Sequence, residues 1–263
     1  NVENCCGCAR CIVGCPHDAK RTAQLEYLDK AIERGTRVYA DCVATQVLDK
    51  NGRACGVVAS IRDRETGRHR VKLTVQAKRV VLAAGAIHTP ALLLKNGLCK
   101  SSGQVGRNLT VHPGMRVYAM FDDEVRAWEG SFQSYAIDHF RRQGIHLINI
   151  FAPIGAIAGT LPGIGRQNAE LMMAIKHLAT FGVMLSDQPG GRVRRGLGQT
   201  PLVTYRMALR DKVKFLRGVR IVAQLYFDAG AKRVFLPCVE MPIVNSPDDL
   251  AKLEPDQIKA SRL

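Results

Sequence analysis

The chain has 263 residues, 46% of them hydrophobic, with 38 basic against 23 acidic residues and a formal net charge of +15. That is enough apolar material for one large core or two smaller ones, which excludes a disordered chain, and no window of about 18 uninterrupted apolar residues predicts a membrane-spanning helix. Aromatics make up only 6% and the basic residues are scattered, densest at Arg192, Arg194 and Arg195, so no nucleic-acid partner is expected; the charge suits a solvated face, an acidic partner or an anionic membrane surface.

The first feature in the chain is a thiol-rich loop. Cys5, Cys8, Cys11 and Cys15 follow C-x2-C-x2-C-x3-C, closed by Pro16, and Cys6 adds a fifth thiol. This is the spacing of a bacterial ferredoxin run, in which tight turns aim successive sulfurs at one iron-sulfur centre while loop N–H groups face its sulfides. No second run exists to share ligands. Either Cys15 turns back to the same cluster (4Fe-4S), or a three-iron cluster (3Fe-4S) forms with Cys6 as an alternative ligand. Zinc, which usually takes two separated pairs, and plain buried or disulfide-bonded thiols are the competing readings. The odd total of nine cysteines argues against a fully paired disulfide framework, and the dispersed Cys42, Cys55, Cys99 and Cys238 read as buried free thiols.

Leu25, Leu28 and Ile32 form one apolar stripe and predict a helix over Thr22 to Arg34, stopped by Gly35. Strands are expected at Thr36 to Ala40, Val43 to Leu48, Ala54 to Ile61 and Val71 to Val75, with turns at Asn51-Gly52 and Thr66-Gly67, giving a three-stranded meander. Lys78 to Ala84 reads as a short strand buried on both faces, ending in Gly85-Ala86. Thr89 then serves as N-cap and Pro90 as first helical residue of a helix through Ala91 to Lys95 that stops at Gly97. A strand, a small-residue bend and a helix N-terminus bring an anion or cofactor close to backbone.

The stretch VVLAAGAIHTPALLLKNGL, Val80 to Leu98, resembles the second signature of the glucose-methanol-choline (GMC) flavoprotein oxidoreductases, with Asn96 and Cys99 where Ser and Gly are usual. VGRNLTVHPG, Val105 to Gly114, is similar to the family's following segment. The thiol loop with Ala19-Lys20 is similar to a subgroup of bacterial GMC proteins and long-chain alcohol oxidases. Cys5 to Pro16 also resembles the FAD-dependent glucose and sorbitol dehydrogenases, whose cluster passes electrons out of the flavin. The resemblance implies FAD, with Ala84, Gly85, Ala86 and Thr89 near the flavin and Ala44 offering backbone to the adenine; tight strand-helix packing is the alternative reading of these small residues. It also implies a structural His112-Pro113 and a catalytic His on a His-Pro segment beyond Leu263. No residue of this chain is assigned as a catalytic base. With no glycine fingerprint ahead of the thiol loop, the chain reads as the middle of a longer enzyme.

From Arg116 the character changes, with strand-like runs at Arg116 to Phe121 and His146 to Phe151. The apolar loop Ala152 to Gly165, broken by Pro153, Pro162 and four glycines, is either the wall of an apolar substrate pocket or an ordinary packed connection. A helix is predicted over Asn168 to Leu178, strands at Phe181 to Leu185 and around Arg192 and Val203, a long helix at Asp211 to Ala229 ending at Gly230, and a strand at Arg233 to Leu236. Pro242 to Leu263 reads as an exposed tail with one or two helical turns after Ser246-Pro247.

The expected class is α/β (α+β): a partial Rossmann-like FAD-binding domain and a GMC substrate-binding domain with a mainly antiparallel sheet. The expected divisions are 1–20 (thiol loop), 21–115 (partial FAD domain), 116–236 (substrate domain) and 237–263 (tail). The function implied is FAD-dependent oxidation of the CH–OH group of an apolar alcohol, sterol or sugar, the cluster relaying electrons to an acidic or membrane-associated acceptor. The rival reading is a non-catalytic, ferredoxin-like electron-transfer or scaffold subunit.

Overall fold

Asn51 and Gly52 both take left-handed backbone angles, φ 54° and 77°, which makes the type I′ turn whose twist matches a hairpin. The turn joins β1 (Cys42–Lys50) to β2 (Arg53–Arg62), and β3 (His69–Gln76) completes an antiparallel sheet in the order β1-β2-β3. This is the meander read from the sequence. The helix before it is shorter than predicted: a π-helical turn, Gln24–Leu28, runs into α1 (Asp29–Glu33), and Gly35 at φ 91° follows. Thr36 to Ala40 stays unpaired instead of forming the expected strand.

The computed structural model describes residues 2–130, 133–238 and 241–253, which group into two units. One holds Ala23–Val111 and Pro189–Arg206; the other holds residues 2–22, His112–Gln188 and residues 207–253. These divisions differ from the expected ones, because the thiol loop groups with the later sheet and residues 189–206 return to the earlier one. The mixture of helix and antiparallel sheet is the class expected. No helix among the described residues is long and apolar enough to cross a membrane.

In the first unit, α2 spans Gly85–Asn96, so it begins well before the expected Thr89-Pro90 start. Pro90 lies inside it, where its missing N–H leaves the Ala86 carbonyl without a helical partner. Gly97, at φ 68°, closes the helix as predicted, with Leu98 N bonding to Leu93 O at 3.0 Å and Gly97 N to Leu94 O at 3.3 Å. The strand expected over Lys78 to Ala84 is not formed, and Val81 is 86% exposed. A strand forms only by pairing with another strand and is buried on both faces only with layers above and below it, and none of the described strands pairs with this segment.

Asn96, which departs from the family signature, ties α2 to the meander. The β1 ladder slips between Ala44 and Gln46, and there the Asn96 side chain accepts from Val47 N (3.1 Å) and donates to Thr45 O (3.4 Å) and Leu92 O (2.8 Å). Asn96→Ala takes the side-chain partner from Val47 N and Thr45 O at the slip in the ladder, while Leu92 O keeps its helical donor. It is expected to lower local stability by about 1–3 kcal/mol, read as faster amide hydrogen exchange around Val47; Asn96→Asp, which keeps only the acceptor, should fall between.

The second unit is built on a six-stranded sheet. Its strands are β4 (Gly114–Met120), β5 (Ala136–Ile137), β6 (Ile145–Asn149) and β7 (Leu178–Leu185), with α3 (Ile154–Ala158) and α4 (Arg166–Met173) between β6 and β7. Helix α3 falls where only a loop was expected. The helix predicted to reach Leu178 ends at Met173; a 3₁₀ turn, Ile175–His177, follows, and Leu178 already belongs to β7. Strands β8 (Gly191–Arg194) and β9 (Leu202–Tyr205) pair with each other in the first unit. Then come α5 (Leu209–Asp228), β10 (Arg233–Phe235), β11 (Ile243–Val244) and α6 (Pro247–Leu250); the rest of the expected tail, 254–263, lies outside the described residues. The sheet order is β11-β10-β4-β7-β6-β5, antiparallel throughout.

Alternation along each strand decides what lies on each face. Val117, Ala119, Ile145, Leu147, Val183 and Leu185 join Phe215, Val219 and Val222 of α5 in one core. Gly218 lets the helix approach: a Cβ there would stand 2.5 Å from Val183 Cγ1. The first turn of α5 is fixed by fully buried Asp211, which accepts from Gln188 N at 2.8 Å and pairs with Lys214 at 2.9 Å. Tyr118, Met120, Leu178 and Phe235 turn to the other face, toward Phe151, Ile157 and Leu161.

Candidate functional site

On that second face the sheet leaves a chamber of about 480 Å³. Gly114 and Gly182 take part of its lining, and Ile148, Ile150, Met184 and Phe235 make it largely apolar. Thr160 and Pro162 also line it, so the loop after α3 contributes to the wall of an apolar pocket. Tyr118 and Thr160 share a hydrogen bond of 2.6 Å between their hydroxyls, and among the described residues Arg116 is the one charged residue in the lining. None of these strand residues stood out in the sequence; the available signal was the run Gly114-x-Arg116-x-Tyr118 on alternate positions of a strand.

In the same unit, the thiol loop is closed by Glu3 N bonding to Ala19 O at 2.9 Å and by a Glu3–Arg21 ion pair of 2.7 Å. Lys20 Nζ donates to Cys11 O at 3.1 Å, and Gly130 N donates to Gly7 O at 2.8 Å. All five loop thiols are free; Cys5, Cys6 and Cys8 are exposed, Cys11 and Cys15 half-buried. Gly7 N–H faces Cys5 Sγ at 3.4 Å. The backbone N–H groups of Lys20, then His17, hold the Cys15 thiol below its ordinary pKa, whereas the hydrogen bond to Cys8 pushes Cys6 up. The ligating atoms of Cys6, Cys8 and His17 lie within 4.8 Å of one another. Of the expected ligands Cys5, Cys8, Cys11 and Cys15, only Cys8 belongs to that grouping, together with the alternative ligand Cys6; His17 is the addition. Two thiols and an imidazole brought together at Cys6, Cys8 and His17 are a donor set that fits a soft metal centre. Elsewhere Cys238 is buried, Cys42 and Cys55 are half-buried, and Cys99 is exposed, contrary to the reading of it as buried.

In the other unit, Ala44 and Ala84 line one cavity of about 240 Å³, with His88, Lys95 and Arg195 also on its wall. Gly85 is exposed at φ 80°, and nothing lies within 4 Å of where its Cβ would stand. Ala86 lines a separate cavity of about 190 Å³ beside Pro90 and Asn108. Thr89 is half-buried within α2 and does not cap it. Open small-residue backbone next to a cavity is a cradle that fits the close approach of a nucleotide cofactor.

Comparison with known proteins gives the class first: the relatives are oxidoreductases. Residues 1–114 match the family model described as GMC oxidoreductase. The chain belongs to the GMC oxidoreductase family. It is 34% identical over 251 residues to an uncharacterized GMC-type oxidoreductase of Mycobacterium tuberculosis, covering 95% of this chain and 39% of the relative. It is 32% identical over 234 residues to another from Sinorhizobium fredii (88% and 45%), and 25% identical over 249 residues to a long-chain-alcohol oxidase of Arabidopsis thaliana (86% and 31%). The chain therefore spans less than half the length of these relatives. The family implies FAD.

Proposed function

We propose that this chain forms part of an FAD-dependent oxidoreductase that oxidises the CH–OH carbon of an apolar alcohol, long-chain alcohols ahead of sterols and sugars. The observation that carries the reading is the largely apolar chamber on the open face of the six-stranded sheet, which takes hydrocarbon out of water. FAD, when bound, supplies the hydride acceptor. Ala84, Gly85 and Ala86 would leave backbone open to it, Ala44 would face its adenine, and Thr89 would support the bend from within α2. Anaerobic addition of lauryl alcohol to the flavin-loaded enzyme is expected to bleach the oxidised flavin absorbance. A flavin left oxidised by lauryl alcohol, cholesterol and glucose alike would refute the reading.

Cys5, Cys8, Cys11 and Cys15, with Cys6 as the alternative ligand, would hold an iron-sulfur cluster, whose chemistry is one-electron transfer to an external acceptor. The +15 net charge suits an acidic protein or anionic membrane surface as that acceptor's setting. Purified enzyme is expected to contain iron and acid-labile sulfide, both lost on Cys11→Ser; zinc without sulfide would contradict the cluster.

A further inference from the structure

We propose that the chamber selects alcohols whose far end carries an anionic group, a carboxylate first, and that Arg116 is the residue that reads it. The inference rests on the alcohol reading above and adds the substrate's second functional group.

Strand β4 sets Gly114, Arg116 and Tyr118 on the chamber side by simple alternation. Arg116 pairs in register with Gly182 of β7, which in turn faces Ile148 of β6, so no side chain stands at the neighbouring strand position beside Arg116. Arg116 is half-buried, and among the described residues no hydrogen bond or ion pair holds its guanidinium. Of the other polar side chains in the lining, Tyr118 and Thr160 are committed to each other at 2.6 Å, and Gln133 carries no charge to offer the guanidinium.

A neutral chain filling this space strips water from the guanidinium and returns nothing, which costs binding energy. A carboxylate returns two parallel charge-assisted N–H···O bonds that match the planar fork. The apolar wall of Ile148, Ile150, Met184 and Phe235 then takes the hydrocarbon between the carboxylate and the hydroxyl. The surplus of basic residues over the whole chain favours the approach of such an anion at low salt.

The test compares ω-hydroxylaurate with lauryl alcohol as substrates of the flavin-loaded enzyme, with laurate and methyl laurate as competitive inhibitors for a binding readout free of chemistry. Wild type is expected to show a KM about tenfold or more lower for the hydroxy acid, and laurate to inhibit better than its ester by a similar factor. Arg116→Gln should erase both preferences, and Arg116→Lys, which keeps the charge without the fork, should restore part of them. Lauryl alcohol oxidised with the same KM as the hydroxy acid, or a preference that survives Arg116→Gln, overturns this inference and leaves the alcohol reading standing. Failure of wild type to oxidise either substrate also overturns this inference, and failure with cholesterol and glucose as well overturns the alcohol reading itself.

Discussion

Gly182→Leu is expected to raise the KM for lauryl alcohol by at least about tenfold, the discrimination that a few methylenes' worth of lost apolar pocket produces. A Cβ at position 182 would already stand 3.2 Å from Ile150 Cγ2 and 3.3 Å from Ile148 O, so the rest of a leucine side chain has only the chamber to enter. It would take space from the hydrocarbon and spare the alcohol end. Butanol, which needs less of that space, should lose less, so the ratio of kcat/KM for the two alcohols is the informative quantity. Circular dichroism and the melting temperature of the variant check that β7 still pairs with β4 and β6. An unchanged KM for the long alcohol in a folded variant would mean that the chain of the substrate lies elsewhere.

Gly218→Val is expected to destabilise the sheet-bearing unit by about 3 kcal/mol, at the upper end for overpacking a core. The new Cβ would meet Val183 Cγ1 at 2.5 Å and Ile145 Cγ2 at 3.3 Å, and both partners are buried among neighbours with no room to yield. Valine's better helix propensity than glycine returns only a fraction of a kcal/mol. The loss should appear as a fall of roughly 6–12 °C in the melting temperature, given about 2–4 °C per kcal/mol for a domain of this size. Adding Val183→Ala should recover part of it, because the two side chains contend for the same space. A Gly218→Val protein as stable as wild type would mean that α5 does not press on β7 as described.

The elements that were legible in the sequence are those whose signal is local. Asn51-Gly52 needs two left-handed residues and has them; Gly97 ends α2; the long apolar stripe of α5 runs to Gly230. Lys78 to Ala84 failed for a physical reason: its apolar run describes a strand inside a sheet covered on both faces, and none of the described strands pairs with it. Thr89-Pro90 carried a helix-start signal, but α2 already begins at Gly85, and Pro90 removes one N–H donor from inside it. The chamber was not legible because Arg116, Gly182 and Ile148 come together only through the β4-β7-β6 register, which no periodicity encodes. His17 was hidden likewise, since the thiol spacing drew attention to sulfur while the fold brings an imidazole to Cys6 and Cys8.

Photoaffinity labelling tests the central claim most directly. A fatty alcohol carrying a terminal diazirine, irradiated with the flavin-loaded enzyme and mapped by peptide mass spectrometry, is expected to label the peptides holding Ile148, Met184 or Phe235, with excess lauryl alcohol protecting them. Protectable labelling confined to other segments, with these peptides untouched, would contradict the assignment of the chamber as the alcohol site.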